Sequence, residues 1–171
     1  MRITGGIDKG RILKAPRTIR PTQDKIRETI FNVLGEKVSG AIFFDLFAGS
    51  GAVGIEALSR GAKGAVFVEQ SKKVISVLKE NLESLGYSDK ARIITKDALK
   101  LFNSLTLELP NSPIIIFADP PYNEGYVERI MKNIPIVADR ILIIEHSKHE
   151  PITIGKHYKA GDTIKTFITE I

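Results

Sequence analysis

Asp119-Pro120-Pro121-Tyr122 is the stretch of this chain with the densest chemistry. It follows an unbroken apolar run, Ile114-Ile115-Ile116-Phe117-Ala118, which reads as a strand buried on both faces. A carboxylate at the carboxyl end of such a strand lies at the crevice where open α/β sheets bind ligands. Two prolines fix φ and donate no amide hydrogen. Asp119, together with the carbonyls of Asp119 and Pro120, is therefore expected to form a stiff cluster of hydrogen-bond acceptors, with the ring of Tyr122 as a flat face beside it. The set suits a planar substrate carrying an exocyclic NH2 group, as on the edge of a nucleobase. The competing reading is an ordinary turn with a packed tyrosine.

A second set lies earlier. Asp45-Leu46-Phe47-Ala48-Gly49-Ser50-Gly51-Ala52-Val53-Gly54 contains Gly-x-Gly-x-x-Gly at positions 49, 51 and 54, and Glu69 closes the next apolar run. This is the dinucleotide spacing, with the acid placed to accept from ribose hydroxyls. Two further carboxylates turn the reading toward S-adenosylmethionine. Asp45, just before the glycine turn, can meet a cationic amino group, whereas beside a pyrophosphate it would repel. Asp97, at the end of a third apolar run, can accept from an adenine N6 amine; its alternative role is the N-cap of the next helix. An NAD-dependent oxidoreductase is the rival that the glycine spacing permits.

Strand–helix alternation from residue 41 must position these groups. Strands are expected at 41–47, 65–68, 91–95, 114–118 and within 136–145, with helices at 52–59, 72–85, 98–105 and 124–132. That order predicts an α/β fold with a mainly parallel sheet and right-handed crossovers. Two β-rich segments, near 151–158 and 162–170, with Gly155 and Gly161-Asp162 beside them, predict a closing antiparallel hairpin. Upstream, residues 2–14 read as a glycine-rich β-hairpin, and residues 15–21 as a linker with Pro16 and Pro21. A helix capped by Thr22 follows, with Ile26, Ile30 and Val33 or Leu34 facing inward and Lys25 and Arg27 exposed. The expected division is an N-terminal basic extension, 1–40, and a main domain, 41–171.

Composition narrows the class. The 171 residues suffice for a core of their own. There is no cysteine, and His146, His149 and His157 do not match a metal-ligand spacing near the candidate site, so no metal is expected. No apolar run approaches a membrane span and the start MRITGG lacks a leader's apolar region, which points to a cytoplasmic protein without a membrane partner. The formal charge of +5 sits wholly in residues 1–40, which hold nine Lys/Arg and four Asp/Glu. A polyanion bound by that segment and a merely solvated basic face are both compatible with it.

On these residues the chain resembles a known class. Phe44-Asp45-Leu46-Phe47-Ala48-Gly49-Ser50-Gly51 and Asp119-Pro120-Pro121-Tyr122 look like motifs I and IV of the Rossmann-like amino-methyltransferases, which methylate exocyclic nitrogens of bases. Arg2-Ile3-Thr4-Gly5-Gly6, Lys9-Gly10-Arg11, Arg20-Pro21-Thr22, Arg27-Glu28-Thr29-Ile30-Phe31-Asn32 and Gly54-Ile55-Glu56-Ala57-Leu58-Ser59-Arg60-Gly61-Ala62 are similar to the bacterial small-subunit (16S) ribosomal RNA guanine-N2 methyltransferases, the RsmD family. Tyr122 stands where some members carry Phe; either ring can stack.

The resemblance implies a class I S-adenosylmethionine-dependent methyltransferase fold, with a seven-stranded sheet, an antiparallel C-terminal hairpin and a small N-terminal hairpin plus helix. It implies methyl transfer to a guanine N2 amine in ribosomal RNA, within the small subunit or an assembly intermediate, with no obligate protein partner. Catalytic contacts would fall on Asp119, Pro120, Pro121 and Tyr122. Cofactor contacts would fall on Asp45, Phe47, Ala48, Gly49, Ser50, Gly51, Glu69, Gln70, Asp97, Ala98 and Asp119. RNA phosphates would meet Arg2, Lys9, Arg11, Lys14, Arg17, Arg20 and Arg27, although Thr22 and Arg27 could instead line the cofactor pocket. Rival readings are DNA adenine-N6 or cytosine-N4 methylation and a non-catalytic RNA-binding assembly factor.

Overall fold

The apolar runs and the helical periodicities between them assemble into one sheet flanked by helices. The computed structural model describes residues 1–15, 24–102, 112–134, 140–150, 152–160 and 163–169. Within them, strands β1 (Ile42–Asp45), β2 (Gly64–Val68), β3 (Ala91–Ile94), β4 (Ile114–Ala118), β5 (Arg140–Ser147), β6 (Lys156–Ala160) and β7 (Thr163–Thr169) lie in the order β3-β2-β1-β4-β5-β7-β6. Strands β1 to β5 pair in parallel, whereas β7 pairs antiparallel with both β5 and β6. Helices are α1 (Asp24–Leu34), α2 (Ala52–Ser59), α3 (Lys72–Leu85), α4 (Ala98–Phe102) and α5 (Tyr126–Asn133). The strand order reverses between β1 and β4, which creates the ligand-binding crevice of a doubly wound sheet.

Successive strand residues point to opposite faces, and two cores result. Phe43, Phe67, Phe117 and Ile143 pack on one face with Phe31, Ile55 and Leu78. Phe44, Val68, Ala118 and Ile144 pack on the other with Val127 and Ile130. Asp45, Asp119 and Glu145 each follow a residue of the first face by two positions, so they leave the sheet on that side, toward α2.

The expected elements are found, with local differences. The helix expected at 98–105 is described as Ala98–Phe102, and β5 as beginning at Arg140; residues 103–111 and 135–139 lie outside the described residues. So do the expected cap Thr22, its neighbour Pro21, and Gly161-Asp162. The N-terminal hairpin closes through one antiparallel bridge, Arg2 to Ile12, instead of a full ladder. A ribbon this small is not stable alone, and this one is tied down. Ile3 and Leu13 are buried, the Ile7 amide donates to the Ser59 carbonyl at 2.9 Å, and the Asn81 side chain bonds both the amide and the carbonyl of Lys14.

Arg27 corrects one expectation: it is fully buried rather than exposed. The buried stripe of α1 is Arg27-Ile30-Phe31-Leu34, with helical spacings of three, four and seven from Arg27; the expected Ile30 and Leu34 are in it, and Ile26 and Val33 pack half-buried at its side. Its Nη2 donates to the Arg2 carbonyl and to Asp24 at 2.7 Å, and its Nε lies 3.5 Å from Glu56. Glu56, also fully buried in α2, accepts further bonds from the Thr4 amide at 3.0 Å, the Thr4 hydroxyl and Arg60 Nε and Nη2 at 3.0 and 2.9 Å. One carboxylate thus joins the N-terminal segment, α1 and α2. Arg27 therefore has no surface from which to meet a phosphate, and its side chain does not line the cleft either.

Candidate active site

Backbone geometry places the glycine turn. Gly51 (φ 83°) caps α2 in the left-handed region that favours glycine. A Cβ on Gly54 would lie 2.4 Å from the Phe67 ring, so only glycine lets α2 approach β2 this closely. The Gly54 amide, free at the first turn of α2, donates to Asp45 Oδ2 at 3.0 Å. Asp45 is almost fully buried. Burial, only partly offset by the Gly54 amide and reinforced by Glu69, pushes its pKa up to about 7.

Glu69 Oε2 accepts from the Gly49 amide at 3.0 Å and Oε1 from the Ser71 amide at 2.8 Å. A carboxylate has about four acceptor sites, so capacity for ribose hydroxyls remains. Asp97 Oδ1 accepts from the Leu99 amide at 2.8 Å. The capping role weighed against its adenine role is therefore present, and Asp97 also faces the cleft.

The acceptor cluster stands across the same space. In the parallel register Ala118 pairs with Ile144, so the next residue along each chain is Asp119 or Glu145. Burial, then the charges of Glu145 and Asp45, hold the Asp119 carboxyl well above the usual carboxylate range, with Lys165 acting in the opposite direction. Tyr122 is 41% exposed, and its hydroxyl donates to Glu145 Oε1 at 3.2 Å. Asn123 follows in the left-handed region (φ 60°), which asparagine tolerates and which turns the chain away after the motif.

All these groups wall one cavity of about 940 Å³, at the upper end of ordinary ligand sites. Asp45, Phe47, Ala48, Gly49, Ser50, Glu69, Gln70, Asp97 and Ala98 line it, as do Asp119, Pro120, Pro121 and Tyr122. Gly51 is buried beside it. The sequence reading misses Lys25, Ile26 and Thr29 of α1, and Tyr126, Glu145, Lys159 and Thr163. For Glu145 a signal exists, since it ends the apolar run Ile141-Leu142-Ile143-Ile144 as Asp119 ends its own. The expectation that Thr22 and Arg27 could line the pocket points to this helix, but the residues that do so, Lys25, Ile26 and Thr29, follow from how it docks.

The candidate RNA residues lie elsewhere. Arg2, Lys9, Arg11 and Lys14 are exposed on the N-terminal segment. Arg11 pairs with Asp8 at 3.2 Å and Lys14 with Glu80 at 2.7 Å, so part of their charge is already offset. Ile7 and Ile12, 86% and 74% exposed, stand beside them. Arg17 and Arg20 lie outside the described residues.

Comparison with known proteins gives a consistent picture. The family described as Conserved hypothetical protein 95 matches residues 1–166. Ribosomal RNA small subunit methyltransferase D of Escherichia coli K12 is 37% identical over 155 residues, which cover 88% of this chain and 76% of that protein. The solved structure of hypothetical protein TTHA0928 from Thermus thermophilus superposes with a TM-score of 0.85 at 27% identity, covering 99% of both chains. An RNA methyltransferase from Salinibacter ruber, solved with S-adenosyl-L-homocysteine, shares the fold: its TM-score is 0.64 at 13% identity, over 89% of this chain and 95% of that one.

Proposed function

Because the chain belongs to the RsmD family and has a class I S-adenosylmethionine-dependent methyltransferase fold, we propose that it transfers a methyl group from S-adenosylmethionine to the N2 amine of a guanine in small-subunit ribosomal RNA. The observation that carries this reading is the shared cavity. The glycine turn with Asp45 and the acceptor cluster at Asp119 and Pro120 face one space. The acceptor set fits the cofactor: buried Asp45 for the ammonium, Glu69 for the ribose hydroxyls and Asp97 for the adenine amine. S-adenosylmethionine supplies a methyl group on a sulfonium, already activated, so no metal is required.

The protein's part is alignment and proton handling. Holding amine and methyl donor in line can supply about 7–11 kcal/mol of the barrier. Asp119 and the Pro120 carbonyl accept the two amine hydrogens, which draws the nitrogen toward tetrahedral geometry and frees its lone pair. The leaving proton has a nearby acceptor in Asp119, whose raised pKa suits it to that task. Tyr122 stacks on the extruded base, worth about 1–3 kcal/mol against the few kcal/mol of flipping. Ribosomal RNA from a strain lacking the protein should lose one N2-methylguanosine from its small subunit; an unchanged nucleoside profile contradicts the assignment.

Asp45 gives cofactor binding a pH dependence. Without ligand it titrates near 7, so below that pH it carries a proton. An ammonium partner favours the carboxylate, and the proton must then leave on binding. Affinity for S-adenosylhomocysteine should therefore rise by up to about tenfold per pH unit below 7 and level off above it. Calorimetry in buffers of different ionisation enthalpy should show proton release near pH 6. A flat profile would remove Asp45 from the ammonium.

The exposed cations of the N-terminal segment position the RNA through phosphates. Reversing Arg2 and Lys9 to glutamate should weaken RNA binding and reduce the slope of log affinity against log salt by about 0.7–0.9 for each phosphate no longer neutralised. An unchanged slope places the RNA elsewhere.

A further inference from the structure

One buried acid beside the acceptor cluster takes no part in the steps above. Glu145 is 4% exposed and lines the cavity next to Asp119. Its two oxygens differ. Oε1 accepts from the Tyr122 hydroxyl and lies 3.8 Å from Lys165 Nζ, across the register pair Glu145–Lys165 on β5 and β7. Oε2 is buried and has no hydrogen-bond partner among the described residues. A buried carboxylate oxygen left without a donor costs free energy, and in a ligand cavity it marks a place where a donor on the ligand belongs. Burial raises the pKa of the Glu145 carboxyl, while Lys165, 1% exposed and outside the cavity wall, and the Tyr122 hydroxyl act in the opposite direction, toward the acceptor-only form.

The nucleobases differ in what stands beside the amine. On guanine the ring nitrogen next to the C2 amine carries a hydrogen. On adenine and cytosine the corresponding nitrogen on the pairing edge carries a lone pair. An amine adjoining a ring N–H is thus the guanine signature, and it calls for a second acceptor beside the one that holds the amine. We propose that Glu145 is that second acceptor: Oε2 takes the N1–H of guanine while Asp119 and the Pro120 carbonyl hold the N2 amine, so Glu145 selects guanine over adenine and cytosine. The assignment rests on the guanine-N2 reading above and extends it to the atoms that choose the base. Tyr122 has two roles here, stacking on the ring and anchoring Oε1 of Glu145.

The test compares two versions of a ribosomal RNA fragment spanning the mapped target, one with guanine and one with 2-aminopurine at that position. 2-Aminopurine keeps the amine but has no N1–H. The ratio is read from single-turnover rates with excess enzyme and, independently, from competition binding of the two RNAs. Wild-type protein should prefer guanine by roughly 10²-fold or more, since sites built around a donor reject analogues lacking it. Glu145→Ala should lower the guanine values and leave those for 2-aminopurine nearly unchanged, which collapses the ratio. E145Q keeps one acceptor oxygen and should fall between the two. A thermal shift with S-adenosylhomocysteine confirms that each variant is folded. Equal losses on both RNAs, or a wild-type protein that does not discriminate, overturn the assignment to Glu145 alone. A wild-type protein that makes no N2-methylguanosine overturns the underlying reading, and this assignment with it.

Discussion

Asp119→Ala should lower methyl transfer by roughly 10²–10⁴-fold, the range for removing a positioned proton-accepting group, while binding of S-adenosylhomocysteine stays nearly unchanged. The split follows from where Asp119 sits. It shares the cavity with the glycine turn, but of the contacts expected for the cofactor every one except its own ends or follows β1, β2 or β3. Asp119→Asn keeps one acceptor oxygen and introduces an amide NH2 that faces the substrate amine, so it should be little better than alanine. The variant also tests electrostatics. Burial, then the charges of Glu145 and Asp45, raise the proton affinity of Asp119, so removing Asp119 should make the unliganded protein more stable at neutral pH. Near-normal turnover by Asp119→Ala, measured as labelled methyl incorporation into small subunits, would remove the acceptor cluster from the chemistry.

The largest stability effect should come from Glu56→Ala. Its carboxylate is the partner of buried Arg27 and of Arg60, and it also holds the Thr4 amide. Cutting one member of a buried ion network costs about 3–5 kcal/mol, and here it removes the buried counter-charge of Arg27, which also pairs with the half-exposed Asp24. The loss should be accompanied by release of the N-terminal segment, because Thr4 and the Arg2 carbonyl are both held by this group and its partner. Urea denaturation measures the first effect and amide exchange at residues 3–13 the second. A change below about 1 kcal/mol would mean that Arg60, which also lies 4.9 Å over the Phe31 ring, and Asp24 hold the segment without Glu56. Arg27→Met together with Glu56→Leu should recover part of the loss, since an apolar pair of similar volume has no charge to desolvate.

Much of this architecture is legible in the residues themselves, for identifiable reasons. Unbroken apolar runs between helical periodicities specify a parallel sheet, and the carboxylates that end those runs mark its ligand edge; Asp45, Glu69, Asp97 and Asp119 are readable that way. Glu145 carries the same mark and is missed when β5 is read for its existence and not for its end. Lys165 cannot be found from sequence, since its burial follows from a cross-strand register that places it opposite Glu145. Arg27 is misjudged when charge is allowed to outweigh periodicity: the stripe through Ile30, Phe31 and Leu34 includes it, and its partner Glu56 is supplied by a helix otherwise short of polar groups. The cavity wall contributed by Lys25, Ile26 and Thr29 is a consequence of docking α1 through that same ion network, which no local pattern records.

The central claim is that a rigid acceptor corner holds a guanine amine in line with a methyl donor in the adjoining pocket. It is tested most directly by incubating the protein with methyl-labelled S-adenosylmethionine and small ribosomal subunits that lack the modification, then digesting the RNA to nucleosides. The account predicts that the label appears in N2-methylguanosine. Label in N6-methyladenosine or N4-methylcytidine, or none in the RNA, would contradict it.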